Sequence, residues 1–98
     1  MNYFHIRDSI AIKNHKSICL DQSIYEFINT RISGSYNILY ARLFGLTYPE
    51  FLKMVRDLYN ATLYGRGNGY TIFTFENLYD AQKFSNECNN RWKQLIKK

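Results

Sequence analysis

The residues of this sequence that could hold a metal ion lie close to its amino terminus. His5, His15 and Cys19 would come together if the chain formed a hairpin there. Zinc sites usually combine four such ligands, with paired ligands a few residues apart. One cysteine and two histidines at the spacing H-x9-H-x3-C do not match the spacing of a zinc site. A surface turn histidine and a strand cysteine are the favoured interpretation, so the sequence predicts no metal site and no cofactor.

Catalytic motifs are also missing from the sequence. H-x-E, HExxH and GxSxG do not occur, and the eight carboxylates are scattered rather than paired. Cys19 and Cys88 lie far apart and form no CxxC pair, so we expect free thiols. We therefore expect a protein that is not an enzyme. An enzyme with a site assembled across the fold stays open as an alternative.

A glycine-rich stretch, GRGNG at 65–69, could in principle bind a phosphate. Phosphate loops direct their backbone amides and a following helix N-terminus at the anion. Here a strand is expected to follow, and no G-K-[ST] occurs. The Asn68-Gly69 pair instead predicts a tight hairpin turn. Arg66 at the tip of that hairpin could still reach a phosphate.

The formal net charge of +5 favours an anionic partner. Part of this charge lies in the last eight residues, RWKQLIKK, which carry Arg91, Lys93, Lys97 and Lys98. Cations there suit the negative end of a helix dipole, and a solvated helix end is the favoured interpretation. The alternative interpretation is that these cations contact nucleic acid or an acidic protein.

No apolar run approaches the ~20 residues that cross a bilayer. The first residues, MNYFHIRDSIAIKNHK, lack the pattern of a signal peptide. We therefore expect a cytoplasmic protein without a membrane partner.

The elements are predicted in the order strand, strand, helix, helix, helix, strand, strand, helix, within a single domain over 1–98. This order indicates an α+β fold, in which a small antiparallel sheet from two hairpins packs on about four helices. The hairpins are an N-terminal one and one over 61–75. A winged-helix-like arrangement is compatible with this order. Whether the hairpins share one sheet is open.

Helices are predicted over 21–34, 35–44, 47–60 and 77–98. The third has the clearest start, because Thr47 and Glu50 form a T-x-x-E capping box and Pro49 suits the first turn. Its predicted buried stripe is Phe51, Leu52, Val55, Leu58 and Tyr59. The last helix should bury Ala81, Phe84, Cys88, Trp92 and Leu95, which recur at three- and four-residue steps.

Residues 37–57 resemble the helix-turn-helix motif of DNA-binding domains, including winged-helix proteins. Ala41 takes the small position of the first helix, Gly45 the turn and Leu46 the next position. Phe51 and Met54 fall where the second helix packs. The resemblance implies that the helix after Gly45 is a recognition helix. It assigns base or backbone contacts to Tyr48, Pro49, Lys53, Arg56, Arg42 and Arg66.

A second stretch, GYTIFTFENLYDAQKF at 69–84, looks like the RNA-recognition motif, with Tyr70 and Phe73 as the residues that stack bases. That fold needs a further strand after its second helix, and no strand is predicted there.

Two functional hypotheses follow. The first is a small non-catalytic protein that binds nucleic acid or a nucleoprotein through a basic helix-turn-helix-like surface. The second is a phage or mobile-element inhibitor or adaptor, for example an anti-CRISPR protein, that binds a host protein. The amino-acid composition, which suggests an AT-rich genome, and the nine tyrosines suit the second. The predicted partner-binding residues are Arg42, Tyr48, Lys53, Arg56, Arg66, Arg91 and Lys93.

Overall fold

A computed structural model describes residues 3–9, 12–21, 24, 36–67 and 70–96 of the chain. The described strands are β1 (Phe4–Asp8), β2 (Lys16–Leu20), β3 (Ala61–Gly67) and β4 (Tyr70–Phe75). The described helices are α1 (Tyr36–Leu43), α2 (Tyr48–Tyr59) and α3 (Leu78–Ile96).

The strands form one antiparallel sheet in the order β1-β2-β4-β3, which confirms the α+β fold and both hairpins. The hairpins are joined where Lys16 and Ser17 of β2 pair with Phe75 and Thr74 of β4, so they share one sheet. Three helices are described rather than about four. The helix predicted over 21–34 lies outside the described residues, apart from Asp21 and Ile24.

The turn between α1 and α2 depends on Gly45. Its φ of +65° lies in the left-handed region, which a residue without Cβ adopts at little cost. The Gly45 N–H donates to the Arg42 carbonyl over 3.1 Å, and the Leu46 N–H donates to the Ala41 carbonyl over 3.0 Å. This is the Schellman pattern, and it ends α1 where the sequence predicts.

The capping box at the start of α2 is confirmed. The Glu50 N–H donates to Thr47 Oγ1 over 3.4 Å, and the Thr47 N–H donates to Glu50 Oε1 over 3.0 Å. Pro49 lies in the first turn, where no N–H is needed. Asn60 ends the helix in the left-handed conformation, with φ of 51°.

The buried row of α2 is narrower than predicted. Phe51, Val55 and Tyr59 are buried and face the core. Leu52 and Leu58 flank this row on opposite sides. Leu52 lies against β3 and is half-buried, whereas Leu58 is 58% exposed, so its predicted burial is wrong. Spacing alone could not decide which flank of the helix another element covers.

The core is aromatic and centred on Phe84 of α3. Its ring lies within 6.4 Å, centroid to centroid, of the rings of Tyr40, Phe44, Phe51, Tyr59, Phe73 and Phe75. Ala81, Cys88 and Trp92 are buried with it, and Leu95 is half-buried, as the stripe predicts. One side of α3 therefore packs against the sheet and the other two helices.

Candidate nucleic-acid interface

The outer face of α2, the predicted recognition helix, carries balanced charge. Lys53 and Arg56 are exposed there, as predicted. Glu50 and Asp57 are exposed on the same side, and Arg56 Nε lies 3.3 Å from Asp57 Oδ1. Two cations and two carboxylates leave this face with no net charge to attract a phosphate backbone.

Tyr48, at the start of α2, is half-buried and packs against the hydrophobic core. The structure thus gives it a packing role beside the binding role that the resemblance implies. Pro49 next to it is exposed.

Arg91 of α3 is held in place at the end of α1 by three contacts. Its Nε donates to Glu87 Oε1 over 2.7 Å, and its Nη1 donates to the Leu43 carbonyl over 3.2 Å. Its guanidinium carbon lies 4.7 Å from the centre of the Phe44 ring, which is a cation–π distance. The guanidinium is therefore oriented before any ligand arrives.

Arg42 lies on the opposite wall of the same groove. The groove has a volume of about 180 Å³ and is lined by Arg42, Leu43, Arg91, Gln94 and Leu95. Arg42 is exposed, and within the described ranges no carboxylate lies within 4.0 Å of its guanidinium. The structure thus brings two of the predicted residues, Arg42 and Arg91, together. Arginines of this kind suit the oxygens of a phosphate or a carboxylate.

The other predicted residues are spread over the surface. Lys93 is exposed on α3. Arg56 borders a separate groove between α2 and the β3–β4 hairpin, with a volume of about 240 Å³. Arg66 lies on β3, and its side chain is outside the described part of the molecule.

A polar surface that the sequence predictions did not identify runs along the solvent side of α3. It contains a row of exposed side-chain amides spaced four residues apart, namely Gln82, Asn86, Asn90 and Gln94. We call this surface, together with the exposed Lys83 and Lys93, the outer face of α3. The i, i+4 spacing of the amides opposite the apolar stripe is a signal present in the sequence.

The potential metal ligands near the amino terminus lie on the β1–β2 hairpin. His5 stands opposite Cys19 across β1 and β2, and its Nε2 lies 3.8 Å from Asp21 Oδ2. No group of three or more potential ligands forms among the described residues. A broad depression of about 620 Å³ near β1 is bordered by the Lys16–Asp8 ion pair. The hydrogen bond from Lys16 lowers the pKa of Asp8, so these two charges stabilise each other.

No helix in the described part of the chain is both long enough and apolar enough to span a bilayer. Comparison with protein families, curated proteins and solved structures finds no match to this chain.

Proposed function

We propose that this chain is a small non-catalytic, cytoplasmic protein that binds nucleic acid or a nucleoprotein through a basic surface beside its α1–α2 hairpin. The observation that carries the proposal is the convergence of Arg42 and Arg91 on one groove. Arg91 is already oriented by Glu87, Leu43 and Phe44, so binding an anion there orders few additional groups.

The charge of the surroundings supports this assignment. The chain has a net charge of +5, and the exposed Arg42 has no carboxylate within 4.0 Å among the described residues. Glu87, the carboxylate next to the groove, forms an ion pair with Arg91, so the groove keeps the net positive charge of Arg42. Phosphate contacts by such cations supply most of the sequence-independent affinity for nucleic acid.

The test is fluorescence anisotropy with labelled duplex DNA and single strands at two salt concentrations. Binding should weaken at the higher salt concentration, because each phosphate contact releases counterions. The Arg42→Ala variant should bind more weakly than the wild type. Lys13→Ala is the matched control, since it removes an exposed cation from the β1–β2 turn. Absence of binding at about 100 µM protein would exclude the proposal, because non-specific binders already reach this range.

A second candidate function is the inhibitor or adaptor of phage or mobile-element origin that binds a host protein. Four large apolar side chains support it, because each is at least 44% exposed: Leu58, Leu78, Tyr79 and Ile96. Aromatic and large apolar side chains are enriched where protein partners dock. Pull-down from a low-GC bacterial lysate with and without nuclease separates the candidates. A stoichiometric protein partner that survives nuclease favours this one, and a partner lost with nuclease favours the first.

A further inference from the structure

Helix α3 presents one complete side to solvent over its whole length. Its 19 residues extend for about 28 Å at 1.5 Å per residue. The buried side carries the core residues around Phe84, and the exposed side carries the outer face defined above. By comparison, α2 has only 12 residues. Of the two helices, α3 offers the longer accessible surface.

Charge also distinguishes the two helices. Between Gln82 and Gln94 the only carboxylate in the sequence is Glu87, which forms the 2.7 Å ion pair with Arg91. Lys83 and Lys93 are exposed and carry no carboxylate partner among the described residues. The outer face of α3 is therefore net positive, in contrast with the neutral face of α2.

The amide row determines what such a face can recognise. A side-chain amide donates and accepts at once, so Asn and Gln form paired hydrogen bonds with N6 and N7 of adenine in the major groove. The major groove of B-form DNA is about 12 Å wide and admits an α-helix. In duplex RNA the corresponding groove is too deep and narrow for side chains to read.

We infer that α3, rather than α2, is the helix that contacts bases, and that its partner is the major groove of A·T-containing duplex DNA. This inference rests on the proposed nucleic-acid binding and specifies its partner. Gln94 belongs both to the amide row and to the Arg42–Arg91 groove, so base contacts and phosphate contacts are continuous on one surface. The two arginines contact the backbone beside the groove that α3 enters.

The experiment measures the affinity of the full chain for labelled A·T-rich and G·C-rich DNA duplexes of equal length, and for an A·U-rich RNA duplex. The test variant is Asn86→Ala/Asn90→Ala, which removes amides from exposed helical positions where Ala favours the helix. A matched control on the other helix is Lys53→Ala/Arg56→Ala. A second control, Asn86→Gln/Asn90→Gln, keeps the amide groups. Far-UV circular dichroism checks that each variant folds.

The wild-type protein should prefer the A·T-rich DNA duplex over both other probes. The alanine variant should bind that duplex about tenfold or more weakly, with an unchanged salt dependence, because it loses base contacts and no charge. The glutamine variant and the α2 variant should keep the preference.

Three results would overturn the inference: no preference in the wild type, equal binding of duplex RNA, or a preference that survives the alanine substitutions. If salt-dependent binding persists in such a case and Arg42→Ala still weakens it, the proposed function stands and only the assignment to α3 fails. If no nucleic acid is bound at all, both are wrong.

Discussion

Asn89 of α3 is hydrogen-bonded to both backbone groups of Phe4 in β1. Its Oδ1 accepts from the Phe4 N–H over 3.0 Å, and its Nδ2 donates to the Phe4 carbonyl over 3.3 Å. The same carbonyl accepts from Ser85 Oγ over 2.7 Å. β1 is an edge strand, and these side chains replace the partner strand that its outer backbone groups would otherwise need. Asn89 thereby holds α3 against β1, and the exposed side of α3 is the one that we assign to DNA.

Asn89→Ala should destabilise the fold by about 3 kcal/mol. Asn89 is 4% exposed, and its loss leaves the buried Phe4 N–H and the partly buried Tyr3 N–H without their hydrogen bonds. Urea denaturation measures the free energy of unfolding. Asn90→Ala is the matched control, because that side chain is exposed and should change stability by less than about 0.5 kcal/mol. Equal effects of the two substitutions would contradict the structural role of Asn89.

Arg91→Ala should lower the free energy of unfolding by about 1–2 kcal/mol, as well as weakening DNA binding. The guanidinium is hydrogen-bonded to the Leu43 carbonyl at the end of α1 and lies over the Phe44 ring. Lys93→Ala removes a nearby exposed cation and should leave stability within about 0.5 kcal/mol of the wild type. Thermal or urea unfolding of both variants makes the comparison. An Arg91 variant as stable as the Lys93 variant would show that the Arg91 contacts do not stabilise the fold.

Stability should decrease in acid partly through Glu50. In the folded protein the pKa of Glu50 is lowered from its usual value of 4.5, mainly by the hydrogen bond from the Thr47 N–H and also by the one from the Thr47 hydroxyl. A carboxyl with a lowered pKa stabilises the fold above its unfolded-state pKa, and this contribution is lost as pH falls through the folded-state value. The difference in urea midpoint between the wild type and Glu50→Gln should therefore shrink from pH 7 to pH 3. A difference that is equal at both pH values argues against the capping box as its source.

The two cysteines should differ in reactivity. Cys88 is fully buried, and desolvation raises the pKa of its thiol well above the usual value of 9.0. Cys19 is half-buried on β2. Because the thiolate is the reactive form, Ellman's reagent should titrate one thiol in the native protein and a second only after denaturation. Cys19→Ser should abolish the native reaction. Rapid modification of Cys88 in that variant would contradict its place in the core.

The elements with local signals could be predicted from the sequence. The Thr47–Glu50 box, the Gly45 turn and the Cys88 stripe depend on residues within a few positions of one another, and the structure confirms each. Contacts between distant residues could not be predicted. Asn89 and Phe4 are 85 positions apart, and nothing near either indicates the pairing.

The candidate site likewise contains features that local sequence predicts and features that depend on contacts between distant residues. The exposure of Lys53 and Arg56 follows from helix periodicity, and so does the exposure of the amide row of α3. The convergence of Arg42 and Arg91 does not, because it depends on how α1 packs on α3 and on the Leu43 carbonyl that positions Arg91. The helix-turn-helix resemblance assigns the base contacts to α2, whereas surface charge favours α3.

The most direct test of the central claim is the salt dependence of duplex DNA binding by the wild type and by Arg42→Ala. If Arg42, Lys83, Arg91 and Lys93 contact phosphates, the plot of log affinity against log salt should have a slope of roughly −3 to −4. Arg42→Ala should make this slope less steep by about 1. Binding that does not depend on salt, or a slope unchanged by Arg42→Ala, would contradict a phosphate-binding surface at the Arg42–Arg91 groove.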